Sequence, residues 1–310
     1  MTKLLRYSTA VCLCALLLGR PAHAQTLTVL YPDLGNPYRA VFNEIIQGIE
    51  EQSKARARGI ALAPNSDIGE LRSTLKNGKV VIALGRQGLK AASALDPALG
   101  VVAGGVSGIG MAPDSERLSG ISLTPDPALL FGLLKSLMPG ARRVIVIYNP
   151  QANEALIRLA REAARGLGLE LVAVEAADLA SAARAYEAQF AGADSRRDAL
   201  WLPQDPVTVE ETTILPLVLR ESWSRNLTVF SSSMLHVKQG VLFGLYPNNV
   251  QLGRDLAALA EAMQNGEPPR HGLSPLRAVR TAINSRTASH LGLNLVAGQQ
   301  RSFDAVFPEP

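Results

Sequence analysis

Cysteine is scarce in this chain and confined to one place. Both residues, Cys12 and Cys14, fall in an apolar run near the amino terminus. Everything after that run therefore lacks a disulfide, a thiol nucleophile and a thiolate metal site. Histidine is nearly as sparse. Beyond His23 only His236, His271 and His290 occur, far apart in the chain, and no histidine metal centre is expected. Long hydrophobic runs are missing as well, since the stretch Val11–Leu18 is short for a bilayer span. Catalytic signatures are absent too. Gly105-Val106-Ser107-Gly108-Ile109 has isoleucine where a nucleophile elbow needs its second glycine. Ala112-Pro113 breaks the spacing of a dinucleotide loop after Gly108 and Gly110. No phosphate loop with its lysine and hydroxyl pair is present. The chain is not expected to be an enzyme and is not expected to need a cofactor or metal.

What stands at the amino terminus is an export signal over residues 1–25. Lys3 and Arg6 give the positive start, Val11–Leu18 the apolar stretch, and Ala22-His23-Ala24 the small-x-small site before Gln25. Cleavage is expected between Ala24 and Gln25. Leu13 before Cys14 rules against a lipoprotein site, so a soluble periplasmic protein is expected. Lys3, Arg6 and Arg20 leave with the signal, so 28 of the 31 basic residues face 27 acidic ones. That balance gives no reason to expect nucleic acid or an anionic membrane as partner.

About 285 mature residues are enough for two domains or one large α/β unit. Short β-type runs alternate with longer amphipathic segments, the rhythm of βαβ units with a parallel sheet. Strands are predicted at Thr26–Tyr31, Gly59–Ala63, Val80–Leu84, Gly100–Val106 and Leu118–Leu123. A second series follows at Arg143–Tyr148, Glu170–Glu175, Ala199–Leu202, Leu227–Phe230 and Val241–Leu245. Val80–Leu84 and Val144–Ile147 are unbroken apolar runs, as expected of strands covered on both faces. Helices are predicted over Arg39–Ala57, Gln151–Leu167, Ala180–Phe190 and Val250–Gln264. Asn36-Pro37 and Asn149-Pro150 are read as helix starts. The two series imply two similar lobes of about 100–120 residues each, joined near Gly120–Pro125 without a floppy linker, as a hinge requires.

Polar residues gather after the predicted strands, where ligands bind in open parallel sheets. The first lobe offers Asp33, Asn36, Gly85-Arg86-Gln87 and Ser107. The second offers Asn149, Asn153, Gln204-Asp205 and Ser231-Ser232-Ser233. Each has a plainer reading: Asn149 and Ser231 as helix caps, Asp205 as a turn before Pro206, Arg86 as a solvated side chain. The glycines at 105–110 fit either a backbone approached by a ligand or facing lobe, or a simple turn. The glutamates Glu44, Glu50 and Glu51 are read as solvated on their helix.

Several ordered motifs resemble one family. Tyr148-Asn149-Pro150-Gln151-Ala152-Asn153 is similar to the YNP-x-x-N segment of ABC transporter substrate-binding proteins of the tryptophan/tyrosine type. Leu118-Ser119-Gly120-Ile121-Ser122, Asp198–Asp205, Val229-Phe230-Ser231-Ser232 with Val237-Lys238-Gln239-Gly240, Leu252-Gly253-Arg254 and Ile283–Leu293 resemble its other conserved stretches. The resemblance implies a type I periplasmic binding fold, in which two Rossmann-like lobes with parallel sheets, joined by three crossovers, close on a small ligand. It implies lobe boundaries at 26–122 plus 246–283 and at 123–245, leaving 284–310 unassigned. Carried over by position, Asn149, Asn153, Asp205 and Ser231 to Ser233 fall in the cleft of lobe two, Asn36, Gly85, Arg86 and Ser107 in that of lobe one, and Tyr246 at a crossover. Ser233-Met234, Gly35-Asn36-Pro37 and Ser107-Gly108-Ile109 stand where relatives often carry charged or ionisable groups, and Arg86 is an added cation. These departures point to an anionic or carboxylate ligand more than to an aromatic amino acid. A monomeric receptor serving an ABC permease is expected; a sensory protein reporting to a membrane kinase or chemoreceptor needs the same cleft.

Overall fold

The computed structural model describes residues 26–64, 66–76, 78–108, 118–268, 271–293, 295 and 301–309. The expected export signal, and the part of the glycine-rich stretch beyond Gly108, lie outside them. Two sheets organise the chain. The first contains β1 (Thr28–Pro32), β2 (Arg58–Leu62), β3 (Val80–Leu84), β4 (Gly100–Gly104), β5 (Leu118–Pro125) and β11 (Gly272–Leu276), in the order β2-β1-β3-β4-β5-β11. All its pairings are parallel. The second contains β6 (Arg143–Tyr148), β7 (Glu170–Glu175), β8 (Asp198–Leu202), β9 (Thr228–Ser231), β10 (Phe243–Pro247), β12 (Val279–Asn284) and β13 (Ala305–Phe307). Its order is β7-β6-β8-β9-β10-β12-β13, parallel except where β10 meets β12.

Helices cover both faces, which is why the central strands read as unbroken apolar runs. In β6, Val144, Val146 and Tyr148 point to one side. There they join Leu130, Phe131 and Leu134 of α4 (Pro127–Leu137) and Leu156 and Ile157 of α5 (Pro150–Gly166). Ile145 and Ile147 point to the other, against Tyr186 of α6 (Leu179–Gly192) and Val218 of α7 (Ile214–Arg225). In the first sheet Val80, Ile82 and Leu84 pack on α1 (Tyr38–Ser53) and α9 (Asn249–Gln264). Val81 and Ala83 pack on α2 (Ile68–Leu75) and α3 (Gly85–Ser93). Two short helices, α8 (Met234–Gln239) and α10 (Ser285–His290), complete the second half.

The chain passes between the sheets three times. It leaves β5 through Asp126, leaves β10 through Asn248, and returns from β11 through Arg277-Ala278. The crossings are tied together: Asp126 N–H donates to Leu276 C=O at 2.9 Å and Asn248 N–H to Ala278 C=O at 2.9 Å. The Arg277 guanidinium also pairs with the Asp126 carboxylate.

The described elements depart from expectation at their edges. α1 stops at Ser53 and not near Ala57, because Lys54 turns left-handed (φ 53°) and Arg58 already pairs with β1. Asn36 does not cap α1; Pro37 holds that position with no side-chain bond. Val279–Ile283, expected in the first lobe, pair antiparallel with β10 in the second sheet. Tyr246 and Pro247 belong to β10, whereas Leu123–Pro125 remain in β5. The unassigned segment after 284 contributes β13, beside β12.

Candidate ligand-binding cleft

Both sheets reverse direction at the same point of their order, β2-β1-β3 in the first and β7-β6-β8 in the second. At such a reversal the loops after neighbouring strands diverge to opposite faces and leave a crevice at the carboxyl ends. The three crossings leave β5, β10 and β11 at their carboxyl ends, the ends at which the two crevices lie.

In the second sheet the crevice is a buried polar network. Asp205, 3% exposed, follows β8. Its Oδ2 accepts from the Asn149 backbone N–H at 2.7 Å and from Asn153 Nδ2 at 2.9 Å. Its Oδ1 accepts from Val207 and Thr208 N–H at 3.0 and 3.1 Å. Four donors on one carboxylate balance its desolvation. The Asn149 side chain accepts from Gln151 N–H at 3.0 Å and so caps α5, as its sequence context allowed. Pro at the first helical position then costs no hydrogen bond.

Beyond β9 the serines form a second set. Ser231 Oγ contacts Leu202 C=O at 3.2 Å and His236 Nδ1 at 2.7 Å, and accepts from Ser233 N–H at 3.0 Å. One hydroxyl proton satisfies all three contacts if it goes to Leu202 and His236 donates from Nδ1. Burial pushes the His236 pKa below its ordinary 6.5, with the Glu211 charge opposing, so the neutral ring is favoured. Ser231 is fully buried and its oxygen is saturated, which gives it no opening as a nucleophile. Ser232 Oγ accepts from Trp201 Nε1 at 3.0 Å, and its C=O accepts from Gln204 Nε2 at 3.0 Å. Gln204 Oε1 is buried with no partner among the described residues. Tyr148, at the end of β6, sets its hydroxyl 3.1 Å from Glu154 and 3.2 Å from Glu175. Burial, then those carboxylates, push its pKa up to about 12.

The first sheet supplies a more open surface. Gly85 opens α3 with φ +69°, a left-handed conformation that glycine adopts without strain. A side chain there would also meet the Pro32 ring at 3.0 Å. Arg86 is exposed in the first turn of α3 and makes no ion pair among the described residues. Asn36 is exposed after β1, and Arg39 beside it is paired with Asp33 at 2.8 Å. Ser107 is exposed in the loop after β4. That loop is fastened to the crossing strand: Leu123 N–H donates to Val106 C=O at 2.7 Å, and Gly108 N–H to Thr124 Oγ1 at 3.1 Å.

The expected residues therefore separate into groups. Asn149, Asn153 and Asp205 touch one another. Ser231, Ser232 and Ser233 form an adjoining set with Trp201, Gln204 and His236, and His236 was not among the residues expected there. Gly85 and Arg86 share a crevice edge with the Asn36 loop, and Ser107 follows the next strand. Tyr246 stands apart, half-buried opposite Arg280 on β12 and packed against the cluster around Phe307. Among the described residues no group of three metal-ligating side chains is assembled, and no helix is long and apolar enough to cross a membrane.

A family model for ABC transporter substrate binding proteins matches residues 115–297. The chain belongs to that family. No curated protein matches it, but solved structures do. A substrate-binding protein with adhesive properties from Clostridium difficile, in a ligand-free, open structure, is similar with TM-score 0.64 at 16% identity, over 89% of this chain and 97% of that one. A Streptococcus pneumonia ABC domain in complex with L-Trp is similar with TM-score 0.56 at 15% identity, over 91% and 100%. A conserved domain protein from Vibrio cholerae O1 biovar El Tor gives 0.55 at 16%, over 91% and 99%. The fold is that of type I periplasmic binding proteins, two Rossmann-like halves with mostly parallel sheets. The polar groups at the two strand reversals are thus the natural candidates for ligand contact in this family member.

Proposed function

We propose that this family member is the periplasmic receptor of an ABC importer, taking up a small polar or carboxylate-bearing solute between two lobes that close about the three crossings. In this reading the amino-terminal 25 residues are removed on export, and the mature protein performs no chemistry. The observation that carries it is the pair of strand reversals, each bearing polar groups at the end where the crossings lie. Arg86 supports an anionic ligand: it is a forked donor at a crevice edge with no ion-pair partner among the described residues, able to take a carboxylate in a water-poor site. Gln204 Oε1 adds a buried acceptor in need of a donor, which a hydroxyl or N–H of the same solute would supply. Closure would bring Arg86, Ser107 and Asn36 over Asn149, Asn153, Asp205 and the Ser231–Ser233 loop, with Tyr246 beside a crossing.

Native mass spectrometry of freshly purified protein tests this. A small solute should co-purify, leave on unfolding, and on readdition shrink the radius of gyration measured by X-ray scattering. A protein that carries nothing and does not contract with any fraction of cell extract would sink the reading. Once the solute is known, Arg86→Ala should weaken its binding by at least about thirtyfold, since losing a charge-assisted contact to a buried carboxylate costs roughly 2–5 kcal/mol. Titration calorimetry showing affinity within about twofold of the parent would remove the support for an anion.

A further inference from the structure

A separate hollow of about 440 Å³ lies under the other end of the second sheet. Its floor is apolar, made by Leu227 just before β9, Val229 within it, Leu242 just before β10, and Leu219 of α7. Ser231, at the cleft end of β9, is four residues from Leu227, roughly 13 Å along an extended strand. The hollow and the cleft are therefore at opposite poles of one lobe.

One wall is an exposed aromatic, Trp223 at 42%. Its ring stacks on that of His290 with centroids 3.6 Å apart and planes within 7°, and His290 Nε2 donates to the Trp223 carbonyl at 3.0 Å. An exposed indole held rigid in this way loses little side-chain entropy when something packs on it. The rim is cationic. Arg220, Lys238 and Arg286 line it, and no aspartate or glutamate is among its described lining residues. Arg220 lies 3.4 Å from Glu221, which answers part of its charge. Lys238 and Arg286 form no ion pair among the described residues.

An apolar floor, a fixed aromatic wall and two cations without an ion pair among the described residues complement a ligand with a flat apolar body and one negative charge. We propose that this hollow is a second binding site, distinct from the cleft, for a small aromatic carboxylate or sulfonate. The ring lies against Trp223 and the leucines, and the anionic group faces Lys238 and Arg286.

Three probes separate the contributions: naphthalene-2-sulfonate, 2-naphthol with the ring alone, and methanesulfonate with the charge alone. In titration calorimetry on the mature protein, naphthalene-2-sulfonate should bind one to one and at least about tenfold more tightly than either partial probe. The Lys238→Gln/Arg286→Gln double variant and Trp223→Ala should each weaken it by about tenfold or more, while Arg86→Ala leaves it unchanged. The substituted side chains are exposed, so circular dichroism should show every variant folded. The proposal is overturned if the three probes bind alike, if naphthalene-2-sulfonate gives no heat up to its solubility, or if Arg86→Ala abolishes binding while the hollow variants retain it.

Discussion

Asp205, three residues past the end of β8, is the acceptor that gathers the Asn149 turn, Asn153 and the 207–208 turn. Replacing it by alanine leaves four donors without a partner, one of them the buried Asn153 amide. Hydrogen bonds to a charged acceptor contribute about 1.5–3 kcal/mol each, so Asp205→Ala should lower stability by at least about 3 kcal/mol in urea unfolding with an unchanged m-value. A midpoint within error of the parent would show that this network is not structural. His236 makes a pH prediction of definite sign. Its folded pKa lies below 6.5 through burial, so below that pH the unfolded chain binds more protons than the folded one. Stability should fall as pH drops from about 6.5 through the lower folded value. His236→Asn should flatten this slope in melting experiments between pH 7 and 5; equal slopes in parent and variant would refute it. The depressed carboxylates Glu51, Asp178, Asp194 and Glu210 act in a more acid window and do not confuse the comparison.

At the scale of elements, the pairing of α1 with α9 is the contact most sensitive to one atom. A Cβ on Gly48 would stand 1.9 Å from Val250 C=O, and one on Gly253 2.0 Å from Ile45 C=O. Both obstacles are backbone, so the helices themselves must separate. Glu51 then pairs with Arg254 at 2.6 Å, and Glu44 accepts from Asn249 Nδ2 at 2.9 Å, across the same seam. Glu44 and Glu51, read from sequence as solvated, thus also join the two helices, although at half-exposed positions such pairs contribute little. The glycines decide the approach. Gly253→Ala should destabilise by about 1–3 kcal/mol or more, as overpacking does, whereas Gly132→Ala, with open space around it, should be neutral or stabilising. Thermal unfolding of the two variants compares them directly; equal melting temperatures would mean the seam is looser than described.

For the molecule as a whole, the crossings set what moves. If the two halves close on a solute, Trp201 should report it. The indole is fully buried beside Phe131, edge-to-face at 5.5 Å. Its Nε1 is bonded to Ser232 in the cleft loop, so a ligand contact on that loop changes the hydrogen bond to the ring. Trp223, at the far pole, should respond less to a cleft ligand. Intrinsic fluorescence of Trp201→Phe and Trp223→Phe separates them: the ligand-induced change should vanish in the first and persist in the second. A change that survives Trp201→Phe would show that closure does not reach Ser232.

The order of β1 to β10, and the helices α1, α5, α6 and α9, were legible in the chain itself, because they rest on short-range rules. Val80–Leu84 and Val144–Ile147 could be read as doubly covered strands from apolar continuity alone. Asn149-Pro150 could be read as a helix start from capping chemistry, and the motif from Tyr148 to Asn153 carried the family. Which loops lie at the carboxyl ends of the strands was legible for the same reason, since a parallel sheet fixes which strand end a loop occupies. Tertiary structure alone decided what depends on distant partners. β11 and β12 are separated by Arg277 and Ala278 yet join different sheets, and neither GLSPL nor VRTAIN carries a pattern that names its neighbour. Gly253 and Arg254 looked like a family signature and prove to be a point of backbone approach and an ion pair to residues about 200 positions away. The Asp205 network and the His236 bond to Ser231 likewise arise only in the folded chain. Amphipathic period tells a residue which face it occupies, whereas register, close approach and polar partnership are fixed only when distant segments meet.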